Sequence, residues 1–511
     1  MTTFASHFQK TIKRTEPIMY SFIISIAALV CGYLVYGKLV ERFFAPEDSR
    51  PTPAISKADG IDYVQMPTWK VFMVQFLNIA GTGPIFGAIM GAKFGPSAYL
   101  WIVFGCIFAG AVHDYLSGML SVRHGGAGLP ELVGIYLGKH TKRVMLTFTV
   151  ILLVLVGAVF TYSPAIILGD LIGDGSPASM MLWVFIIFAY YILATMLPID
   201  KIIGKIYPLF AFALLFMAVA LMVGLFIKWP SLPELWDGLA NRGPSVGVKG
   251  QPIFPCLCIT IACGAISGFH ATQSTMMARC LRKESLGRPV FYGSMITEGL
   301  VALVWATISS YFFFDGGAAE VGSDISASAP AIVSAVSVKW LGALGGILSI
   351  LGVVAAPITS GDTSLRSARM IVAETFHIDQ APIRNRLIVS IPIFIASALL
   401  LWFNIADKDG FNTIWKYFGW ANQTLAVFTL WALTVFLAKK RSGMKYLVTL
   451  VPAAFMTAVC STFILVDKVG FGISAAAAPW LGMLFFFGSA GLFAIWKIRQ
   501  SRKDNPIQKT Q

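Results

Sequence analysis

Five sets of residues in this chain carry groups that could do chemistry, and all lie inside or at the end of long apolar runs. Two are glycine-rich: Asn78-Ile79-Ala80-Gly81-Thr82-Gly83-Pro84 and Gly264-Ala265-Ile266-Ser267-Gly268-Phe269-His270. Pro84 lacks an amide donor and crowds the preceding turn, while the glycines permit non-helical angles. Both stretches should therefore break a helix and free backbone amides and carbonyls. The third group is ionisable: His113-Asp114 in one apolar run and Glu298 in another. The fourth is the hydroxyl-bearing run Pro357-Ile358-Thr359-Ser360-Gly361-Asp362-Thr363-Ser364, followed by Arg366 and Arg369. The fifth is the amide pair Asn422-Gln423.

Freed amides at the start of a half-helix favour an anion, and freed carbonyls can hold a cation. The substrate-binding candidates are therefore Asn78, Gly81, Thr82, Gly83, Gly264, Ala265, Ser267, Gly268, His270, Asn422 and Gln423. The candidates for holding a coupling ion or proton are Asp114, Glu298, Ala80, Thr359, Ser360, Asp362 and Thr363. Hydroxyls and carbonyls are hard oxygen ligands of the kind Na⁺ accepts, so a bound Na⁺ is the one cofactor-like ion this reading admits.

Each group also has a plainer reading. Glycines let helices pack closely in membranes. Asp114 could be a cap and salt-bridge partner near an interface, and Glu298 could pair with Arg288. The hydroxyl run could be a polar helix end, Asn422 and Gln423 could bind helices together, and Lys205 could snorkel to water or replace a sodium ion. An ionised side chain within a span costs roughly 2.5–3.5 kcal/mol, so Asp114 and Glu298 need a reason to be there. Adjacent residues on a helix point about 100° apart, which argues against His113 and Asp114 as a working dyad. No catalytic constellation or phosphate-binding loop is evident, so neither an enzyme nor an ATP-driven pump is expected. No metal site is expected either. Cys256-Leu-Cys258 has no second pair and no His at ligand spacing, and the other cysteines act as small hydrophobes.

The elements that position these groups follow from composition. With 57 % hydrophobic and 13 % charged residues, the solvent for most of the chain is lipid. In lipid, long apolar runs must be helices, because every backbone polar group needs an internal partner. Runs of about 20 residues match the hydrocarbon core. Thirteen candidate spans lie near 18–40, 69–92, 98–122, 144–172, 179–197, 206–227, 252–277, 290–314, 331–357, 387–404, 413–437, 447–466 and 475–496. One set of alternate loops holds 26 Lys and Arg against 9 in the other, which makes the richer set and the C-terminus cytoplasmic. That places the N-terminus outside, despite Lys10, Lys13 and Arg14. It also accounts for the net charge of +14 without nucleic acid as a partner. The N-terminus shows no small-residue cleavage site, so the first run reads as a retained helix.

The two breaks fall in the first helix of two successive five-helix blocks of opposite orientation. This is the inverted-repeat signature of secondary transporters. The expected fold is an all-α, polytopic, LeuT-like five-plus-five bundle. Residues 1–67 form an extra helix and loop, 68–228 the first repeat, 250–438 the second, and 439–511 two further helices and a tail.

At these residues the chain resembles the carbon starvation CstA family. The matching stretches are Ile79 to Pro84, Ala109-Gly110-Ala111-Val112-His113-Asp114, Ile261 to His270, Thr359 to Arg369, and Ala421-Asn422-Gln423. The resemblance covers roughly residues 30 to 430 in one order. It implies a member of the amino acid–polyamine–organocation superfamily, taking up pyruvate or peptides in starved bacteria. The expected function is thus gradient-driven symport of a small carboxylate, pyruvate first, across the bacterial inner membrane. Peptide uptake is the alternative, and a membrane-embedded nutrient sensor the second. The expected partners are the solute and the lipid bilayer, with no obligate protein partner.

Overall fold

The computed structural model describes residues 19–504 apart from 60–62, 197–202, 381, 408–409 and 441–442. Lys10, Lys13, Arg14 and the Lys205 side chain lie outside the described residues. Every regular element described is helical, and no described residue is in a strand. Among the described residues eleven helices are long and apolar enough to cross a membrane, or twelve if the bent pair Thr68–Ala80 and Gly83–Ala92 is one span. This is fewer than thirteen because the expected seventh span is cut up. Helix occurs at Ile253–Leu257 and Cys258–Thr260 and resumes at Gly268–Met277, and no piece is long enough alone.

The expected ninth span, 331–357, is also redrawn. Ala329–Leu348 is bent at Gly342, where φ 58 and ψ −144 leave the helical region. Beyond that bend, helix runs through Ser349–Val354 into Ala355–Thr375. The hydroxyl run is therefore well inside a helix and does not mark its end. Its hydroxyls donate to their own helix: Thr359 Oγ1 to Ala356 O at 2.8 Å, Thr363 Oγ1 to Thr359 O at 2.9 Å, and Ser364 Oγ to Ser360 O at 2.7 Å. Local bonds of this kind let Ser and Thr remain in a helix at apolar depth.

Burial separates the centre of the bundle from its rim. The most apolar windows of Glu284–Phe314 and Ser97–Arg123 are 83 % and 78 % buried, whereas those of Tyr20–Phe44 and Ala475–Ser501 are 28 % and 11 % buried. The first two are thus inner helices, and the last two face the surroundings over most of their surface. Gly83–Ala92 packs along Gly293–Phe314, and Gly268–Met277 lies between Ala111–Arg123 and Gly410–Lys439. Both halves after the breaks are therefore held by inner helices.

At one end, Glu284 ties three segments together. Its fully buried carboxylate accepts from Glu47 N at 2.8 Å, Arg123 Nη2 at 3.1 Å and Arg50 Nη1 at 3.5 Å. Arg123 also donates to Ala45 O at 2.6 Å and lies 3.8 Å from the centre of the Phe44 ring. Removing one partner of such a pair leaves a poorly solvated charge and costs about 3 kcal/mol. Glu284→Ala should therefore lower the Tm of the detergent-solubilised protein. An unchanged Tm would mean that Phe44 and the Ala45 carbonyl alone satisfy Arg123.

Candidate functional site

The first break is built by glycine and proline. Thr68–Ala80 ends at Gly81, whose φ of 22 and ψ of −140 favour a residue without Cβ. Helix resumes at Gly83 with Pro84 in its first turn, where a missing amide hydrogen costs nothing. The two pieces are bent by 44°. Ala80, Gly81, Thr82 and Gly83 are all buried, and Thr82 Oγ1 has no hydrogen-bond partner among the described residues. A Cβ on Gly83 would lie 2.3 Å from both Cβ and Sγ of Cys263. The two breaks therefore touch each other.

The second break is held open by side chains from its neighbours. Ile261, with ψ 77, ends the helical turn before it. Ile261 O accepts from Trp101 Nε1 at 2.9 Å, and Cys258 O accepts from Gln423 Nε2 at 2.5 Å. Asn422 Oδ1 accepts from Phe269 N at 2.8 Å and from Ser267 Oγ at 3.0 Å. Buried backbone groups that leave a helix need such substitutes, and Asn422 and Gln423 supply them. Close backbone approach completes the fit. A Cβ on Gly268 would meet Asn422 O at 2.4 Å, one on Gly110 would meet Ala265 O at 2.3 Å, and one on Gly264 would meet Ala302 Cβ at 2.6 Å. Gln75 Nε2 donates to Ser274 Oγ at 3.0 Å, which links the two broken helices on one side of the breaks.

Beside this junction the ionisable candidates converge. Asp114 Oδ2 lies 3.1 Å from His270 Nδ1, and Asp114 Oδ1 lies 2.7 Å from His113 Nδ1. On the other side of the imidazole, His270 Nε2 is 3.5 Å from Glu298 Oε2. Asp114, His113, His270 and Glu298 are all fully buried. Three sequence-based expectations are corrected here. His113 and Asp114 do meet, because the short carboxylate reaches sideways across the helix face to the neighbouring ring. Glu298 does not pair with Arg288, which instead binds Glu41 at 2.8 Å. Nor is Asp114 a cap near an interface, since its partners are two buried histidines.

The remaining candidates lie apart from this cluster. Asn78 is buried in the last turn before the first break. Thr359, Ser360, Asp362 and Thr363 share the Ala355–Thr375 helix, which touches Thr68–Ala80. Asp362 Oδ1 lies 3.4 Å from Arg366 Nη2. Sequence reading missed Cys263, which it treated as a small hydrophobe. Its place in the same glycine-rich break as His270 was the available signal. It also missed Trp101 and Gln75, whose partners are brought near only by the fold.

Comparison with known proteins places this geometry. The structure resembles the Eremococcus coleocola manganese transporter, with TM-score 0.56 and 14 % identity over 88 % of this chain and 99 % of that one. Among curated sequences, a protein called uncharacterized membrane protein of Haemophilus influenzae is 46 % identical over 344 residues, 59 % of this chain and 92 % of that protein. Proteins named peptide transporter CstA are 27 % identical in both Bacillus subtilis and Escherichia coli. These cover 85 % and 87 % of this chain, and 88 % and 80 % of those proteins. With its apolar helices and facing breaks, the protein is a multi-pass membrane transporter. Residues 18–172, 165–342 and 326–463 match the family described as carbon starvation protein CstA, and the chain belongs to that family.

The contact between the breaks leaves no room at Gly83. Gly83→Leu should abolish solute uptake while membrane insertion, read by fractionation, stays normal. Uptake at the native rate would show that the junction is not the site. Asn422→Ala strands the Phe269 amide and should cost about 1–3 kcal/mol of stability, read by thermal unfolding in detergent.

Proposed function

We propose that this transporter is a gradient-driven symporter for a carboxylate-bearing solute, built as a LeuT-like five-plus-five inverted repeat. The observation that carries this reading is the contact of two broken helices at Gly83 and Cys263, deep inside the bundle. Broken helices belong to secondary transporters because unwound backbone at mid-membrane depth is tolerated only inside protein or along a cavity. Gly81, Thr82 and Gly83 lead into one half-helix, and Ser267 and Gly268 into the other. Their amides are positive dipole ends suited to a carboxylate. Asn78, Gly264, Ala265, His270, Asn422 and Gln423 frame the same junction.

Pyruvate is the solute implied by the sequence resemblance. A short peptide is the second reading, favoured by the names of the Bacillus subtilis and Escherichia coli relatives. Both present a carboxylate, and the peptide adds an ammonium for which a buried acid is a suitable partner. Two sets of groups can hold the coupling cation. The hydroxyls of Thr359, Ser360 and Thr363 are hard oxygen ligands, and with the Ala80 carbonyl they suit Na⁺. Asp114 and Glu298 suit a proton. In this reading residues 68–228 and 250–438 are the two repeats, flanked by 1–67 and 439–511, and the C-terminus is cytoplasmic in a bacterial inner membrane.

Uptake of labelled pyruvate and of a labelled dipeptide into proteoliposomes tests this, under imposed proton or sodium gradients. Concentrative uptake of either solute under one of the gradients is the expected result. Pyruvate uptake fixes the small acid, and dipeptide uptake alone fixes the second reading. Gradient-independent equilibration of both would overturn symport.

A further inference from the structure

Three donor groups of different chemistry meet beside the second break. Cys263 Sγ, a ring nitrogen of His270 and a carboxylate oxygen of Glu298 lie within 4.8 Å of one another, all buried. Cys263 precedes the resumed helix, His270 lies in its first turn, and Glu298 comes from the helix Gly293–Phe314.

The hydrogen bonding of His270 determines what its inner edge offers. Nδ1 lies 3.1 Å from the carboxylate of Asp114, an acceptor, so that nitrogen carries the hydrogen. In the neutral imidazole, Nε2 is then a bare lone pair. A charged imidazolium would instead aim Nε2–H at Glu298 and draw it to about 2.7–2.9 Å. The observed separation is 3.5 Å, and neither His270 Nε2 nor either Glu298 oxygen has a hydrogen-bond partner among the described residues. A carboxylate that orients an imidazole, with the opposite ring nitrogen bare, is the outer-shell arrangement of metal-bound histidines.

We propose that this pocket binds a divalent transition-metal ion of the Zn²⁺ and Co²⁺ class. Its ligands are Cys263 Sγ, His270 Nε2 and a Glu298 carboxylate oxygen, with one coordination position open. Asp114 acts as a positioning residue through His270. A thiolate and a carboxylate together cancel the ion's two charges, so the ion with its three ligands is neutral, and the Asp114 carboxylate is met by its two histidines. Thiolate with imidazole selects borderline and soft ions over Mg²⁺ and Ca²⁺. Tetrahedral bonds of about 2.0–2.3 Å place ligand atoms about 3.3–3.8 Å apart, so the three groups need only close in slightly around the ion. The Asn422 amide, 3.5 Å from Cys263 Sγ, is placed to donate to the bound thiolate. The inference does not depend on which solute the transporter uses, and with Glu298 bound to the ion the coupling cation is left to Asp114 or to the hydroxyl set.

The test uses the full chain in detergent, stripped with a chelator and titrated with Co²⁺. The expected result is saturable binding of one ion per chain, with a thiolate-to-cobalt charge-transfer band that Zn²⁺ abolishes by competition. Cys263→Ser should lose that band, whereas Cys460→Ser, altered at a buried thiol outside the cluster, should keep it. Asp114→Asn should retain the band but weaken affinity about 10–100-fold, because it disturbs only the orientation of His270. Size-exclusion elution confirms that each variant is folded. Absence of a charge-transfer band in the native chain, or its survival in Cys263→Ser, would overturn the proposal. Solute uptake plays no part in this readout, so its failure and that of the transport reading are separable.

Discussion

The structure depends on one constraint: a peptide group in hydrocarbon must find its partner within the protein. Continuous helices meet it by themselves, which is why every regular element described here is helical. A broken helix does not, so each break must be enclosed by other helices that provide donors and acceptors. The most deeply buried helices, Ser97–Arg123 and Glu284–Phe314, are the ones packed around the breaks. Peripheral helices such as Ala475–Ser501 have no such duty and are mostly exposed to the surroundings.

The two breaks meet the constraint by different means. The first is short: one glycine at positive φ and a proline in the next turn leave few groups to satisfy. The second frees a longer stretch and recruits Trp101, Gln423 and Asn422 from two other helices. Asn422 does the most, since one amide holds both the Phe269 N–H and the Ser267 hydroxyl. The glycines then act mainly through space. Gly83, Gly110, Gly264 and Gly268 admit a neighbour where any side chain would collide. Packing and hydrogen bonding are thus one solution to the same problem.

This explains what the sequence could and could not disclose. Composition alone marks the chain as a helical membrane protein, and the two glycine-rich stretches mark the breaks, because those signals are local. The seventh segment was legible as a broken helix for the same reason. The end of the ninth was not, because Pro357 and four hydroxyls resemble a terminus until three of those hydroxyls are seen to bond within their own helix. The convergence of Asp114, His270 and Glu298 was also hidden. Each residue was singled out, but only the fold brings three separate helices to one point. Cys263 was overlooked because a cysteine among apolar residues is usually a hydrophobe, and its neighbours are distant in sequence.

The placement of that cluster links electrostatics to the second break. Asp114 stands on an inner, unbroken helix, while His270 stands in the first turn after the second break. Among the described residues Asp114 pairs with His113 and His270 and with no Lys or Arg, so this buried carboxylate depends on its histidines for compensation. If the half-helix Gly268–Met277 moves, the 3.1 Å contact between His270 and Asp114 opens, and Asp114 keeps only His113. Movement of the half-helix and the charge state of the cluster therefore cannot change independently. The Asn422 bonds to Ser267 and Phe269 anchor the start of the same half-helix, so amide and imidazole together hold the second break where it is.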